Sequence, residues 1–164
     1  MKRLIVCAVL AGPLVLAACS THTVKTAGRG AGEPAGVLAI AAAREPKVAW
    51  NGKGVLEADI DCDGTKDYAL EGRKGKDVLV MVIQGPATKS SKTAVQELPA
   101  DELCGEPITF TLESLDYDPG EEAGEVSGFQ RSKKCKGLNL GSGECDAVHF
   151  FWNHETASLD FWRL

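Results

Sequence analysis

An acidic segment at residues 59–67 lies between two short segments with the composition of β-strands. Its sequence, DIDCDGTKD, has aspartates at relative positions 1, 3, 5 and 9 and a glycine at position 6. In a tight turn this spacing directs the carboxylates toward one point, and Ca²⁺ takes six to eight oxygen ligands at roughly 2.3 to 2.6 Å. Gly64 accepts the positive φ that such a turn requires. The segment, which we call the aspartate loop, therefore predicts a β-hairpin whose turn binds calcium. The predicted ligands are Asp59, Asp61, Asp63, Asp67 and the carbonyl of Thr65.

The spacing D-x-D-x-D-G-x-x-D resembles the calcium loop of FG-GAP and VCBS-type repeats, where it joins two antiparallel strands. The resemblance covers residues 56–70 and implies that the four aspartates are calcium ligands. Such repeats normally form propeller blades in tandem, but this chain has one good copy, so we do not expect a propeller. An EF-hand is excluded because Leu70 occupies position 12, where a bidentate Glu is needed. A solvated Asp-Gly turn without metal is the alternative, since such turns are common between strands.

The N-terminus has the pattern of a bacterial lipoprotein signal peptide. Residues 1–3 form a short basic region, and residues 4–16 form an apolar run that is too short to span a bilayer as a helix. The run ends in Leu-Ala-Ala-Cys, which resembles a lipobox and implies cleavage before Cys19 and lipidation of that residue. An ordinary secretory signal is the alternative, and it also exports the protein. By resemblance to sorted lipoproteins, Ser20 favours the outer membrane, facing the periplasm.

Cleavage shortens the 164-residue chain to 146 residues and changes its net charge from −5 to −7, because two basic residues are removed. We expect one domain at residues 37–164, after a signal peptide at 1–18 and a flexible Gly/Ala/Thr-rich tether at 19–36. Acyl chains such as palmitate on Cys19 would anchor the tether to the membrane. The acidic balance argues against nucleic-acid binding. The one positive run, residues 131–136, predicts a solvated loop or a contact with an anionic partner.

Six cysteines are present, and two of them lie in the signal peptide and at the lipidation site. An exported protein matures in an oxidising compartment, so the other four predict two disulfides. We expect Cys135 to pair with Cys145 across a local hairpin and Cys62 to pair with Cys104. Zinc ligation is the alternative, but the sequence has no C-x-x-C pair.

The pattern of hydrophobic residues predicts a mainly β fold, either a small antiparallel sheet, a sandwich or a partly open barrel. One short N-terminal helix is expected at residues 37–44, ended by Pro46. The apolar run at residues 78–83 predicts a central strand buried on both faces. Residues 108–115 alternate between apolar and polar, which is typical of a half-solvated strand. The last two strands are expected to form a hairpin across residues 153–158. The other predicted strands cover residues 55–59, 68–71, 93–98, 137–140, 147–152 and 159–164.

The sequence contains no recognised catalytic motif. His149 and His154 lack the H-E-x-x-H spacing, and neither a G-x-S-x-G nucleophile motif nor a phosphate-binding glycine motif is present. Residues 116–122 weakly repeat the acidic pattern and predict an exposed loop or a second cation site.

We therefore expect a non-catalytic, calcium-stabilised binding or structural module of the cell envelope. The alternatives are a hydrolase acting on envelope polymers and a periplasmic enzyme inhibitor. The expected partners are the membrane, through the lipid on Cys19, and an envelope protein or polymer.

Overall fold

The computed structural model describes residues 34–164, which form two antiparallel sheets, a helix at the N-terminal side and short helical turns. The predicted signal peptide, Cys19 and most of the predicted tether lie outside the described residues. Within residues 34–164 no helix combines the length and apolarity needed to cross a membrane. The helices are α1 (Pro34–Arg44) and α2 (Gly120–Ala123), with a 3₁₀ turn at Ala100–Glu102. The strands are β1 (Ala49–Trp50), β2 (Leu56–Ala58), β3 (Asp67–Lys74), β4 (Asp77–Ile83), β5 (Thr93–Leu98), β6 (Ile108–Leu115), β7 (Ser132–Ser142), β8 (Val148–Asn153) and β9 (Ser158–Trp162).

Helix α1 begins three residues before the predicted start. Pro34 is tolerated in the first turn, where its missing N–H would have no partner, and the alanine-rich sequence favours a helix. Residues 34–36, which were predicted as the end of the tether, therefore belong to the helix. The helix ends at Arg44, shortly before Pro46, as predicted. Its buried side chains pack against β3 and β4.

The first sheet has the order β1-β3-β4-β5, and β2 also pairs with β3. Strand β4 lies between two neighbours and is buried at every position after Asp77, which confirms the predicted central strand. The two-residue strand β1 was not predicted, because an alternating pattern cannot be recognised over two residues. The long β3 allows both β1 and β2 to pair along its length.

The second sheet is a meander with the order β6-β7-β8-β9. Strands β8 and β9 form the predicted hairpin, with Asn153 paired to Ser158. Strand β6 has the predicted bounds, but the predicted alternation ends early: Leu112 is 37% exposed, whereas the side chain of Glu113 is only 14% exposed. Glu113 faces the outer side of the sheet, where it contacts residues of other elements.

A shared hydrophobic core lies between the two sheets, so the sandwich is the correct alternative among the predicted β architectures. The outer face of the first sheet is covered by α1, and part of the outer face of the second sheet is covered by residues 117–129. The buried residues between the sheets are Ala58, Ile60, Ala69, Val78, Val80, Val82, Leu98, Leu138, Leu140, Val148, Phe150 and Leu159.

All four predicted cysteines form disulfides, but the predicted pairing is wrong. Cys62 pairs with Cys135 and Cys104 pairs with Cys145, with Cα–Cα distances of 5.4 Å and 5.6 Å. Cys135 and Cys145 lie near opposite ends of the extended β7 rather than across a turn. The seven strand steps from Cys135 to Ser142, where β7 ends, span about 23 Å, whereas a disulfide requires Cα atoms within roughly 7 Å. A long strand therefore replaces the expected local hairpin.

Candidate calcium site

The aspartate loop connects β2 to β3, which pair with Ala58 opposite Asp67. The hairpin is therefore formed as predicted. Gly64 has a φ of +86°, which confirms the expected left-handed turn residue. Cys62 also has a positive φ, of +64°, which is uncommon for a residue other than glycine. The turn thus contains two left-handed residues within three positions.

Three of the four predicted aspartate ligands come together. Asp59, Asp61 and Asp67 each contribute a carboxylate oxygen to a group whose members lie within 4.8 Å of one another. Asp63 is not in this group: it is exposed, and its Oδ1 accepts a 2.6 Å hydrogen bond from the N–H of Thr65. The predicted convergence of four aspartates is therefore wrong for Asp63, which stabilises the turn instead.

Asp59 has one carboxylate oxygen that lacks a hydrogen-bond partner. Its Oδ2 accepts a 3.2 Å hydrogen bond from the N–H of Gly64. Its Oδ1 is buried, and no donor within residues 34–164 reaches it. A buried acceptor without a partner costs roughly 1–3 kcal/mol, and more when it is charged. This oxygen is therefore available to a cation.

Asp67 is fully buried and fastens the loop to its surroundings. Its Oδ2 accepts hydrogen bonds from the N–H groups of Ile60 at 2.9 Å and Asp61 at 3.1 Å, and its Oδ1 accepts one from Gly85 at 2.9 Å. Burial raises the pKa of Asp67 above its ordinary value, and these three N–H donors oppose the rise. The sequence predicted Asp67 only as a metal ligand. In the structure its carboxylate also joins its own strand, β3, to the loop backbone at residues 60–61 and to the backbone of Gly85.

The end of β4 supplies two residues to the site that the sequence analysis missed. The side-chain amide of Gln84 donates to Asp61 Oδ2, and Gly85 donates to Asp67. Gly85 also lies so close to Lys66 that a Cβ would collide with the Lys66 carbonyl. The β3–β4 pairing brings Gln84 and Gly85 beside the loop. No local sequence pattern predicts that these two residues belong to the site.

The loop is also joined to the second sheet. The N–H of Lys136 donates a 2.9 Å hydrogen bond to the carbonyl of Asp59, and Cys62 is disulfide-bonded to Cys135. Ile60, which is fully buried, inserts between the sheets. The positive run at residues 131–136 is thus mostly the start of β7, which corrects the predicted solvated loop. Arg131, before the strand, pairs with Asp116 at 2.7 Å.

The donor set fits a hard cation. All three converging ligands are carboxylate oxygens, which Ca²⁺ and Mg²⁺ prefer. Two like charges at the upper limit of this spacing, 4.8 Å, repel by about 3.5 kcal/mol at an effective dielectric constant of 20. A divalent cation would remove this repulsion and would give the unpartnered oxygen of Asp59 a ligand role. The residues therefore fit a calcium ion, with Asp59, Asp61 and Asp67 as its side-chain ligands.

The other predicted candidates lie elsewhere. Within the second acidic segment, Asp116 pairs with Arg131 and Asp118 accepts from the N–H of Gly120 at 2.9 Å. Among residues 34–164, this segment contributes no group of three closely spaced ligands. His149 pairs with Glu113 on the second sheet, and His154 lies in the turn between β8 and β9.

Comparisons of this chain with protein-family models, with curated proteins and with solved structures found no match. Its function must therefore be inferred from its own residues.

Proposed function

We propose that this protein is a non-catalytic module of the bacterial cell envelope, anchored by a lipid on Cys19, in which Asp59, Asp61 and Asp67 hold a structural calcium ion. One observation carries the metal assignment: Asp59 Oδ1 is buried without a hydrogen-bond partner, and Asp59 belongs to a group of three residues whose carboxylate oxygens lie within 4.8 Å of one another. Its proposed partner is an envelope protein or polymer.

The ligand chemistry favours calcium over other metals. Zinc prefers thiolate and imidazole ligands, but the four cysteines of the described domain form disulfides. Magnesium requires near-ideal octahedral geometry and retains several waters, whereas calcium tolerates irregular oxygen cages. Three backbone N–H groups hold the Asp67 carboxylate in place before an ion binds. Calcium, the larger ion, tolerates an irregular arrangement of the other oxygen ligands around this carboxylate.

A structural role follows from what surrounds the ion site. The loop contacts the end of β4 through Gly85 and the start of β7 through Lys136. An ion at the carboxylates would therefore stabilise the junction of both sheets. Binding only to the folded state stabilises it by RT ln(1 + [Ca²⁺]/Kd), which is about 2.7 kcal/mol at one hundred times Kd.

Thermal melting tests the metal assignment. We expect calcium to raise the Tm of the purified protein, magnesium to raise it less, and a chelator to reverse the change. Asp59→Asn keeps the shape of the side chain and should reduce the shift, because it should bind calcium at least about tenfold more weakly. Asp101→Asn, at an exposed position in the 3₁₀ turn, is the matched control and should retain it. A Tm that neither calcium nor chelator moves contradicts the assignment.

The anchor is supported by the basic region, the apolar run and the Leu-Ala-Ala-Cys sequence. In bacteria expressing the chain, we expect incorporation of labelled palmitate and its loss in Cys19→Ala. Ser20→Asp should keep the label but move the protein from the outer to the inner membrane fraction. An unlabelled wild-type protein in the soluble fraction contradicts lipidation and leaves ordinary secretion as the explanation.

Cross-linking in intact cells tests the binding role. We expect the wild-type protein to be cross-linked to an envelope protein or polymer. Recovery of only uncross-linked protein contradicts a stable partner.

A further inference from the structure

A cavity lies between residues of both sheets, where the end of α1, the connection from β4 to β5 and the turn from β8 to β9 come together. Its volume is about 430 Å³, and volumes of roughly 300–1,000 Å³ are typical of small-ligand sites. Trp152, which is only 8% exposed, forms one wall. The other walls carry cationic and hydroxyl side chains, which belong to Arg44, Lys92, Ser90, Ser91 and Thr93.

This cavity is positively charged, although the chain has a net charge of −5. None of the described residues that line it is acidic. Residues 85–96, which supply its hydroxyl groups, contain two lysines and no acidic residue. Neither Arg44 nor Lys92 lies within 4 Å of a carboxylate of residues 34–164. A concave surface lined by one sign of charge raises the local concentration of ligands of the opposite sign, so the cavity favours an anion.

Arg44 is held in place by the backbone of the connection from β4 to β5. Its Nη2 donates hydrogen bonds to the carbonyl of Ser91 at 3.2 Å and to the carbonyl of Lys89 at 3.5 Å. Both acceptors are neutral, so these bonds orient the guanidinium group without cancelling its charge. A guanidinium group has five N–H donors in a rigid plane. Further donors of Arg44 therefore remain for an anion, and their direction is set before it binds.

The connection from β4 to β5 is itself fixed by hydrogen bonds. The Ser91 hydroxyl accepts a 2.9 Å bond from the N–H of Thr88 and donates a 2.9 Å bond to the carbonyl of Pro86. The N–H of Ser91 donates to the carbonyl of Thr88 at 3.1 Å, and the N–H of Gln84 donates to the carbonyl of Lys92 at 3.0 Å. The backbone that carries the lysine and the hydroxyl groups is therefore ordered in advance, which lowers the entropic cost of binding.

We propose that this cavity binds a phosphate group, either as a free ion or as the monoester of a larger molecule. A phosphate monoester carries about −1.5 to −2 charges and three strong acceptor oxygens, which match the two cations and the hydroxyl donors of the cavity. Arginine binds such oxygens through paired N–H groups, and lysine binds them through a compact charge. A carboxylate has one charge and two oxygens, so it leaves part of this donor set unused.

The cavity adjoins the aspartate loop at Gln84. This residue lines the cavity, and its side-chain amide donates to Asp61. A cation at the loop would reduce the negative charge beside the cavity. The phosphate site includes none of the three proposed calcium ligands, so the proposal goes beyond the metal assignment and is tested in buffer that is free of divalent cations. A failed calcium assignment and a failed phosphate site therefore give different results.

Matched probes test the proposal by calorimetry with the purified protein at about pH 8, where a phosphate monoester carries close to two charges. Inorganic phosphate and glycerol 3-phosphate should bind. Glycerol, which lacks the phosphate, and acetate, which has one charge, should each bind at least about tenfold more weakly. Tighter binding of glycerol 3-phosphate indicates a phosphorylated ligand, and tighter binding of inorganic phosphate indicates the free ion. Binding of neither phosphate, or binding of acetate as tight as that of phosphate, overturns the proposal.

The three tryptophans locate the bound phosphate in ¹H–¹⁵N spectra. Trp152 lines the cavity, whereas Trp50 and Trp162 do not. The indole N–H signal of Trp152 should therefore shift when inorganic phosphate is added, and the other two indole signals should shift less. A Trp152 signal that stays in place while phosphate saturates the protein overturns the proposal.

Variants test the donors. Lys92→Gln changes an exposed residue and should weaken phosphate binding roughly tenfold without a change in Tm. Thr93→Val removes a hydroxyl without changing the net charge and should weaken binding roughly fivefold. Lys76→Gln, at an exposed position in the turn from β3 to β4, makes the same change in net charge as Lys92→Gln and should bind as the wild type does. Unchanged affinity in Lys92→Gln, or equal weakening in Lys92→Gln and Lys76→Gln, overturns the proposal.

Discussion

The backbone N–H of Lys136 donates a 2.9 Å hydrogen bond to the carbonyl of Asp59, and this bond joins the second sheet to the first residue of the aspartate loop. One residue earlier, Cys135 is disulfide-bonded to Cys62 within the same loop. The position of the loop carboxylates therefore depends on a strand that is more than sixty residues away in sequence.

Removal of the Cys62–Cys135 disulfide should weaken both stability and calcium binding. The two cysteines are 73 residues apart, so the loop-entropy model predicts a loss of about 4.4 kcal/mol in the free energy of unfolding. The paired variant Cys62→Ala with Cys135→Ala should also bind calcium more weakly, because the loop loses its covalent attachment. Urea unfolding and calcium titration measure the two effects.

The other disulfide provides the control. Cys104 and Cys145 are 41 residues apart, which predicts a similar loss of about 3.9 kcal/mol. They lie away from the loop, so removing them should leave the calcium Kd unchanged wherever the variant is folded. Equal weakening of calcium binding in both paired variants contradicts the proposed coupling.

Gly85→Ala should disturb the site without changing any carboxylate. A Cβ at this position collides with the carbonyl of Lys66 and displaces the N–H that bonds Asp67. Overpacking of this kind typically costs about 1–3 kcal/mol, and we expect calcium binding to weaken as well. Gly75→Ala is the control: its φ of +66° makes the substitution strained, but a Cβ there meets no neighbouring atom. Chemical denaturation should detect both losses, and only Gly85→Ala should alter the calcium titration.

Ile60→Ala should destabilise the loop from its buried side. Ile60 is fully buried in the core between the sheets, although both of its sequence neighbours are acidic. Its truncation should lower the free energy of unfolding by about 2–5 kcal/mol. Val95→Ala, at a side chain that is 37% exposed, should change it by about 0.5 kcal/mol or less. If Ile60→Ala and Val95→Ala lower the free energy of unfolding equally, the packing of Ile60 in the core does not stabilise the loop.

The stabilisation by calcium should increase with pH. Burial raises the folded-state pKa of Asp67, so without metal the ionised group destabilises the folded protein. Protonation of Asp67 therefore stabilises the folded protein. This stabilisation is complete at pH values below the pKa of Asp67 in the unfolded chain, and it is lost as the pH rises through the pKa of Asp67 in the folded protein. Calcium binds the ionised form and offsets this loss. The difference in Tm between calcium and chelator should therefore be small near pH 4 and larger at pH 7. A difference that is constant over this range contradicts the role of Asp67.

Local sequence patterns predicted most of the strands. The apolar run at residues 78–83 and the alternation at the start of β6 follow directly from burial in a sheet, so they can be recognised without tertiary information. The turn at Gly64 was also predictable, because its positive φ follows from the local spacing. By contrast, the 37% exposure of Leu112 depends on what covers that part of the sheet, and the sequence does not reveal this.

Long-range relationships were not predictable. The disulfide partners depend on the length of β7 and on how the two sheets meet. Asp67 was assigned by motif position, but its hydrogen bond from Gly85 comes from the segment that follows the next strand. Glu113 and His149 are 36 residues apart and meet only because β7 lies between their strands. Such pairs leave no periodic signal in one sequence.

Calorimetric titration of calcium into the wild-type protein and into Asp59→Asn tests the metal assignment most directly. The wild type should bind one ion per chain with a saturating heat signal. Asp59→Asn, which removes the charge from the carboxylate with the unpartnered buried oxygen, should bind at least about tenfold more weakly. Indistinguishable titrations of the two proteins, or no calcium binding by the wild type, would contradict a calcium ion at the aspartate loop.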